Sequence, residues 1–378
     1  MQVQNSEENL NNDEQSGSIL DAVIESEQAH QLAAFSPDEL VLKILGQLRD
    51  RERQIVLYRY GLADNKRHTL EAIGKKLNIT RERVRQIEKE SFNSLKKEEI
   101  SRQMSAPLDI VRKTIGDHGG IFAQAALVDH LLLSNKNDRQ VNSLLFLLDL
   151  SEHFLFFEDN DIFHAAWHLA DFDMDKLQGF YRDSRQIFEK SGAPLDLAKL
   201  KDEFKATPIF AENREYFEDR VIENLLKVIK HFKSNPFGEY GLHDWRVINP
   251  KDVGDKSYLI LRYQNKPLHY TKITELINQY RFDARTAYKE TVHNELIMDD
   301  RFVLVGRGIY ALTDWGYKKG LVADVIKEIL AKNAEPMERD KIIDEVSKQR
   351  IVRRNTILVG LANKKLFRKV GNNKYTLV

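Results

Sequence analysis

Cysteine is absent from the 378 residues, so disulfides and thiolate metal or redox sites are excluded, and a reducing cytoplasm is the expected home. No opening apolar run resembles a signal peptide, and none approaches the roughly 20 residues that span a bilayer, so no membrane partner is expected. Neither a Walker-type phosphate loop nor a nucleophile elbow is present, which leaves no cofactor and no enzymatic activity to expect. His164 and His168 have i, i+4 spacing and Asp171, Asp173 and Asp175 follow. No third ligand falls in register, and the Gly and terminal Glu of a calcium loop are missing, so no metal site is expected. Formal net charge is also lacking, at +0.

That zero hides a partition along the chain. Counting Lys and Arg against Asp and Glu gives −8 for residues 1–38, +6 for 39–103, −6 for 104–236 and +8 for 237–378. Residues 1–35 contain no Lys or Arg and are rich in Asn, Gln, Glu and Ser, so 1–38 is expected to be an acidic disordered tail with one short helix near Ile19 to Leu32. The two basic blocks are where a polyanion would bind.

The first basic block holds "TLEAIGKKLNITRERVRQIEKESFNSL", Thr69 to Leu95. Apolar residues fall at Ile73, Leu77, Ile79, Val84 and Ile87, the positions that two short helices need to seal against each other. Gly74 lies where those helices approach, and Asn78 occupies the turn, where a left-handed backbone suits Asn. Thr80 is placed to cap the second helix, with Glu82 in its first turn. At 100° per residue, Ile87, Ser91, Val84 and Leu95 fall in one arc, from about 240° to 320°. Arg81, Glu82, Arg85, Gln86 and Lys89 occupy another, from about 0° to 140°. These side chains are of the kinds that read base edges and grip phosphates.

"LRDRERQIVLYRYGL" (Leu48–Leu62) followed by "HTLEAIGKKLNITRERVRQIEKES" (His68–Ser91) resembles region 4 of sigma-70-type RNA polymerase sigma factors, the part that reads the −35 promoter element. The resemblance covers about residues 39–100. It implies contacts from Arg81, Glu82, Arg85 and Gln86 to bases or adjacent phosphates, and a Leu48–Leu62 helix in the half that docks on the polymerase flap. Only a short acidic stretch precedes residue 39 here, so the chain is not expected to act as a complete sigma factor.

Downstream the sequence repeats. Aligning Ile121, Pro194, Pro267 and Pro336 gives spacings of 73, 73 and 69 residues. Six places on stand Leu127, Leu200, Ile273 and Ile342, and eight on stand Asp129, Asp202, Glu275 and Asp344. Each unit has helical periodicity on both sides of this segment, and β-prone pairs such as "FLFFEDNDIFHAAW", "FVLVGRGIYALTDW" and "LFRKVGNNKYTLV" follow. Three helices and a hairpin make a winged helix. The expected fold is mainly α: a helix-turn-helix over 39–103, then winged-helix units over 104–170, 171–250, 251–318 and 319–378. Trp167, Trp245 and Trp315 close the first three units and are read as core.

The third unit, with "KPLHYTKITELIN" and "TVHNELIMDDRFVLVGRGIYAL", resembles the HARE-HTH domain, found in the bacterial polymerase delta subunit, restriction endonucleases and chromatin proteins. The last unit places Arg350, Arg353, Arg354 and Asn355 at the start of its third helix and Lys364 and Lys365 just before its wing, a second set of DNA-binding candidates. In the first unit Glu158, Asp159 and Asp161 make the wing acidic. The first two units are expected to serve as spacers or protein-binding modules.

Together these features lead to a bacterial, nucleoid-associated transcription factor whose partners are double-stranded DNA and RNA polymerase core. A polymerase-associated scaffold using the same modules for protein contacts is the alternative. A specificity subunit of a restriction or modification system is a third.

Overall fold

The computed structural model describes residues 35–133, 136–317, 320–333, 335–371 and 373–378. The expected tail, including its short helix near Ile19, lies outside them apart from its last residues. There Phe35 is buried and a helix opens at Pro37, so folded structure starts before residue 39.

The chain is mainly helical and divides into two compact units. The first runs to Lys190 and resumes over Ala198–Phe232; the second takes Ser191–Leu197 and Lys233–Val378. In the first unit, α1 (Pro37–Leu45) and α2 (Asp50–Arg59) precede α3 (Leu70–Leu77) and α4 (Arg81–Leu95). Where one helix over Leu48–Leu62 was expected, the chain bends at residues 46–49, and Leu48 and Leu62 are buried on either side of the shorter α2.

Four times thereafter a helix leads into a short strand, further helices and a hairpin. The first series is α5 (Glu98–Asp117), β1 (Ile121–Ala123), α6 (Gln124–Leu131), α7 (Asp138–Leu150), β2 (Phe154–Phe157) and β3 (Ala166–Leu169). The second is α8 (Met174–Ser191), β4 (Leu195–Asp196), α9 (Leu197–Lys205), α10 (Pro208–Glu212), α11 (Asp219–Val228), β5 (Phe232–Ser234) and β6 (Glu239–Leu242). The third is α12 (Val253–Gln264), β7 (Leu268–His269), α13 (Tyr270–Tyr280), α14 (Lys289–Met298), β8 (Phe302–Gly306) and β9 (Ile309–Leu312). The fourth is α15 (Val322–Ala331), β10 (Met337–Glu338), α16 (Arg339–Gln349), α17 (Arg354–Leu361), β11 (Phe367–Val370) and β12 (Lys374–Leu377).

The sheets share one topology, β1-β3-β2, β4-β6-β5, β7-β9-β8 and β10-β12-β11, with the last strand always central. A strand of two or three residues cannot stand alone, and the returning hairpin strand supplies its hydrogen bonds. In the third sheet Phe302 pairs with Leu312 and Leu304 with Tyr310, and a register shift follows between Leu304 and Gly306.

Cores follow the apolar periodicity. The third repeat buries Ile260, Ile273, Ile277, Val292, Leu296 and Phe302 together; the fourth buries Ile326, Ile342, Val346, Ile357 and Phe367. In the first unit one core runs from Val41, Leu45 and Val56 through Leu95 and Met104 to Leu144, Phe146 and Trp167. The amino-terminal helices and the first repeat therefore share a single apolar interior.

Candidate nucleic-acid interface

α3 and α4 carry a small core of their own, in which Ile73, Val84 and Ile87 pack with Ile55 from α2, and Leu70, Leu77 and Ile79 close the edges. The turn between them is fixed by local chemistry. Asn78 adopts the left-handed conformation (φ 52°, ψ 51°), and a Cβ on Gly74 would lie 2.7 Å from the Ile79 carbonyl oxygen. Thr69 Oγ1 accepts from Ala72 N and Thr80 Oγ1 from Arg83 N, each at 3.2 Å, so both helices begin with a satisfied donor. Arg59 ties the pieces together, donating to Glu88 Oε1 at 3.0 Å and to the His68 carbonyl at 3.2 Å.

The buried residues of α4 are Val84, Ile87, Ser91 and Leu95, the four expected from periodicity. Arg81, Glu82, Arg85, Gln86 and Lys89 are all exposed on its first turns. They are also partly organised. Arg85 donates to Glu82 through Nε (2.9 Å) and Nη2 (2.6 Å), and Arg83 donates to Gln86 Oε1 at 3.2 Å. The Arg85 hydrogen bonds hold the Glu82 carboxyl below its usual range, and Glu82 in turn raises Arg85. Arg83, Lys75 and Lys76 are exposed cations of this module that the helical-wheel reading passed over. Lys76 lies 3.7 Å from the Tyr58 ring centroid. Charge type alone would have flagged them.

In the fourth repeat Arg353, Arg354, Asn355, Lys364 and Lys365 are exposed, and α17 starts at Arg354 with Arg353 at its cap. Arg354 forms an ion pair with Asp340. Arg350 departs from expectation. It precedes the helix, is only 5% exposed, and donates to the carbonyls of Leu304 and, at 2.7 Å, Gly320. A guanidinium used this way is not offered to phosphate, so Arg350 leaves the candidate contact set.

The third helices of the first two repeats are covered. In α7, Leu144, Phe146, Leu147, Leu148 and Leu150 are buried. Tyr60 packs against Phe92 (5.4 Å between ring centroids) and Phe146 (5.0 Å), and its hydroxyl donates to Asp149 Oδ2 at 3.2 Å. Burial pushes the Tyr60 hydroxyl well above its usual range. Asn142 donates to the Gly61 carbonyl at 3.1 Å, and Gln140 donates to Asp38 Oδ1 at 2.7 Å. In α11, Asn224 donates to the carbonyls of His118 (2.9 Å) and Ile121 (2.6 Å) in the first repeat. The all-round apolar character of "NSLLFLLDL" signals such burial in the sequence. The single Asn224 gives no comparable signal.

Two capped helices crossing at a left-handed turn, with the second presenting a charged face, define a helix-turn-helix. Comparison with known proteins narrows this, since residues 44–97 match the family Sigma-70, region 4. Over 71 residues the chain is 42% identical to the RNA polymerase sigma factor SigA of Clostridium acetobutylicum, covering 19% of each protein. It is 48% identical over 52 residues to RpoS of Coxiella burnetii, 14% of this chain and 15% of that protein, and 47% identical over 60 residues to RpoD of Helicobacter pylori, 16% and 9%. The chain thus spans less than a fifth of the length of these relatives. Region 4 of such factors is a DNA-binding helix-turn-helix that contacts −35 promoter DNA. Among the described residues no helix is long and apolar enough to cross a membrane.

Proposed function

We propose that the chain is a bacterial DNA-binding transcription factor that reads −35-like promoter DNA through Thr69–Leu95. The observation that carries this is a coincidence of position: the match to region 4 falls on a capped helix-turn-helix whose outward side chains are Arg81, Glu82, Arg85, Gln86 and Lys89. Arg81 and Gln86 are read as base-edge contacts, because these side chains offer paired hydrogen bonds in the major groove. Glu82 accepts from a cytosine amine or steers Arg85, which it already holds, and Lys89 takes a phosphate.

The four repeats are proposed to be winged helices, the third of HARE-HTH type, because each carries three main helices and a hairpin whose last strand is central. The fourth is proposed as a second DNA contact through Arg353, Arg354, Asn355, Lys364 and Lys365, on which exposure and positive charge converge. The first two are read as an internal platform, since α7 and α11 are turned inward. RNA polymerase core is a proposed partner. The covered state of Val56, Leu62 and Phe92 beside α7 favours DNA reading over polymerase docking through the α1–α2 half.

Chromatin immunoprecipitation with sequencing tests the proposal. Occupancy centred on one −35-like motif is the expected result. Broad occupancy following transcribed genes would replace it with the polymerase-scaffold reading, and absence of enrichment would remove both.

A further inference from the structure

The third and fourth repeats are joined by a latch that involves the turn before α17. Ile351 N donates to the Val305 carbonyl at 2.8 Å, so the segment leading into α17 adds a backbone hydrogen bond along β8. Beside it, Arg350 is buried and its guanidinium bridges the Leu304 and Gly320 carbonyls. The Ile351 carbonyl approaches Gly306 so closely that a Cβ there has no room. Placing a guanidinium out of water is costly, and here the hydrogen bonds it gains fix one repeat against the next.

This latch sets the position of two exposed cations. Arg307 follows Gly306 directly, in the β8–β9 turn, where Gly308 has φ +70° and sits against His269. Arg353 stands two residues after Ile351, at the cap of α17. Chain geometry therefore keeps their Cα atoms within about 18 Å, roughly half of one DNA helical turn. Arg354 is beside Arg353 but already pairs with Asp340, so Arg353 and Arg307 carry the larger share of uncompensated charge at this place.

We propose that the Arg307 turn of the third repeat and the Arg353–Asn355 helix start of the fourth bind the sugar–phosphate backbone of one DNA duplex as a single composite surface, its geometry set by the Arg350–Ile351 latch. The inference rests on the reading of the fourth repeat as a DNA contact and adds to it a residue from the preceding repeat. Neither repeat supplies the whole surface. The latch also explains why a cation sits buried at position 350: it aligns the phosphate-gripping residues and does not grip phosphate itself.

The test uses the full chain and a 30-base-pair duplex of random sequence, with affinity measured across a salt series. Contacts from Arg81–Lys89 are the same in every variant and cancel from the differences. Arg307→Ala should flatten the slope of log affinity against log salt by about 0.9, the loss of one phosphate contact, and Arg353→Ala should do the same. Arg350→Met and Gly306→Ala retain both exposed cations. Each should lower affinity and abolish the energetic coupling between Arg307 and Arg353 seen in a double-mutant cycle, and thermal unfolding identifies any variant that has lost its fold. A wild-type slope for Arg307→Ala beside a flattened one for Arg353→Ala would overturn the composite surface and leave the fourth-repeat reading standing. Unchanged slopes for both would defeat that reading too. Wild-type affinity and coupling in both latch variants would overturn the latch, and equal losses on single-stranded RNA would overturn the duplex assignment.

Discussion

The helix Asp138–Leu150 of the first repeat and the helix Arg354–Leu361 of the fourth occupy the same place in their repeats, before the hairpin that supplies the central strand. Their surroundings are opposite. Asp138–Leu150 buries Gln140, Ser143, Leu144, Phe146, Leu147, Leu148 and Leu150, whereas Arg354–Leu361 buries only Ile357 and Leu361. The difference lies in how far apolar side chains wrap the helix. A stripe on one side seals the repeat and leaves the other side for solvent or a ligand; apolar residues on every side require a second neighbour. The first repeat finds that neighbour in Tyr60 and Phe92 of the amino-terminal module.

The contrast between these helices is most sensitive to Phe146, which is fully buried. Phe146→Ala is expected to cost about 3–5 kcal/mol in the first unit's stability, through lost burial and the cavity left between Tyr60 and Phe92. Chemical denaturation followed by fluorescence measures it. A cost under about 1 kcal/mol would mean that the module and the first repeat do not depend on this contact. Next in size, Arg81→Ala and Gln86→Ala should each weaken specific DNA binding by about 1–3 kcal/mol with a smaller effect on random DNA. Thr80→Ala removes the hydrogen bond to Arg83 N and should destabilise the helix-turn-helix by about 1 kcal/mol. Smallest of all, Val359→Ala on the exposed side of Arg354–Leu361 should change stability by less than about 0.5 kcal/mol. A loss near that of Phe146→Ala would show that this helix, too, is covered.

The helix-turn-helix was legible because its determinants are local. Gly74, Asn78 and Thr80 act on backbone within a few residues, and the buried arc of Arg81–Leu95 follows from periodicity alone. The repeats were legible through spacing, and the hairpins through their β-prone pairs. Arg350 was misread because its partners are carbonyls 30 and 46 residues away, and sequence pattern carries no information about which backbone oxygens a side chain will meet. The bend at residues 46–49, which shortens the expected Leu48–Leu62 helix at its start, was likewise hidden. Arg53 donates to the Leu45 and Leu48 carbonyls there, capping the end of one helix from the middle of the next.

We propose that Arg81–Lys89 reads base sequence and does not merely attract phosphate. The most direct measurement is selection of bound duplexes from a random library by the full chain, carried out in parallel for the natural sequence, Arg81→Ala and Gln86→Ala. One enriched motif for the natural chain is predicted, with preference relaxed at a different base position in each variant. Enrichment of no motif, or the same motif with uniformly weaker binding in both variants, would contradict it.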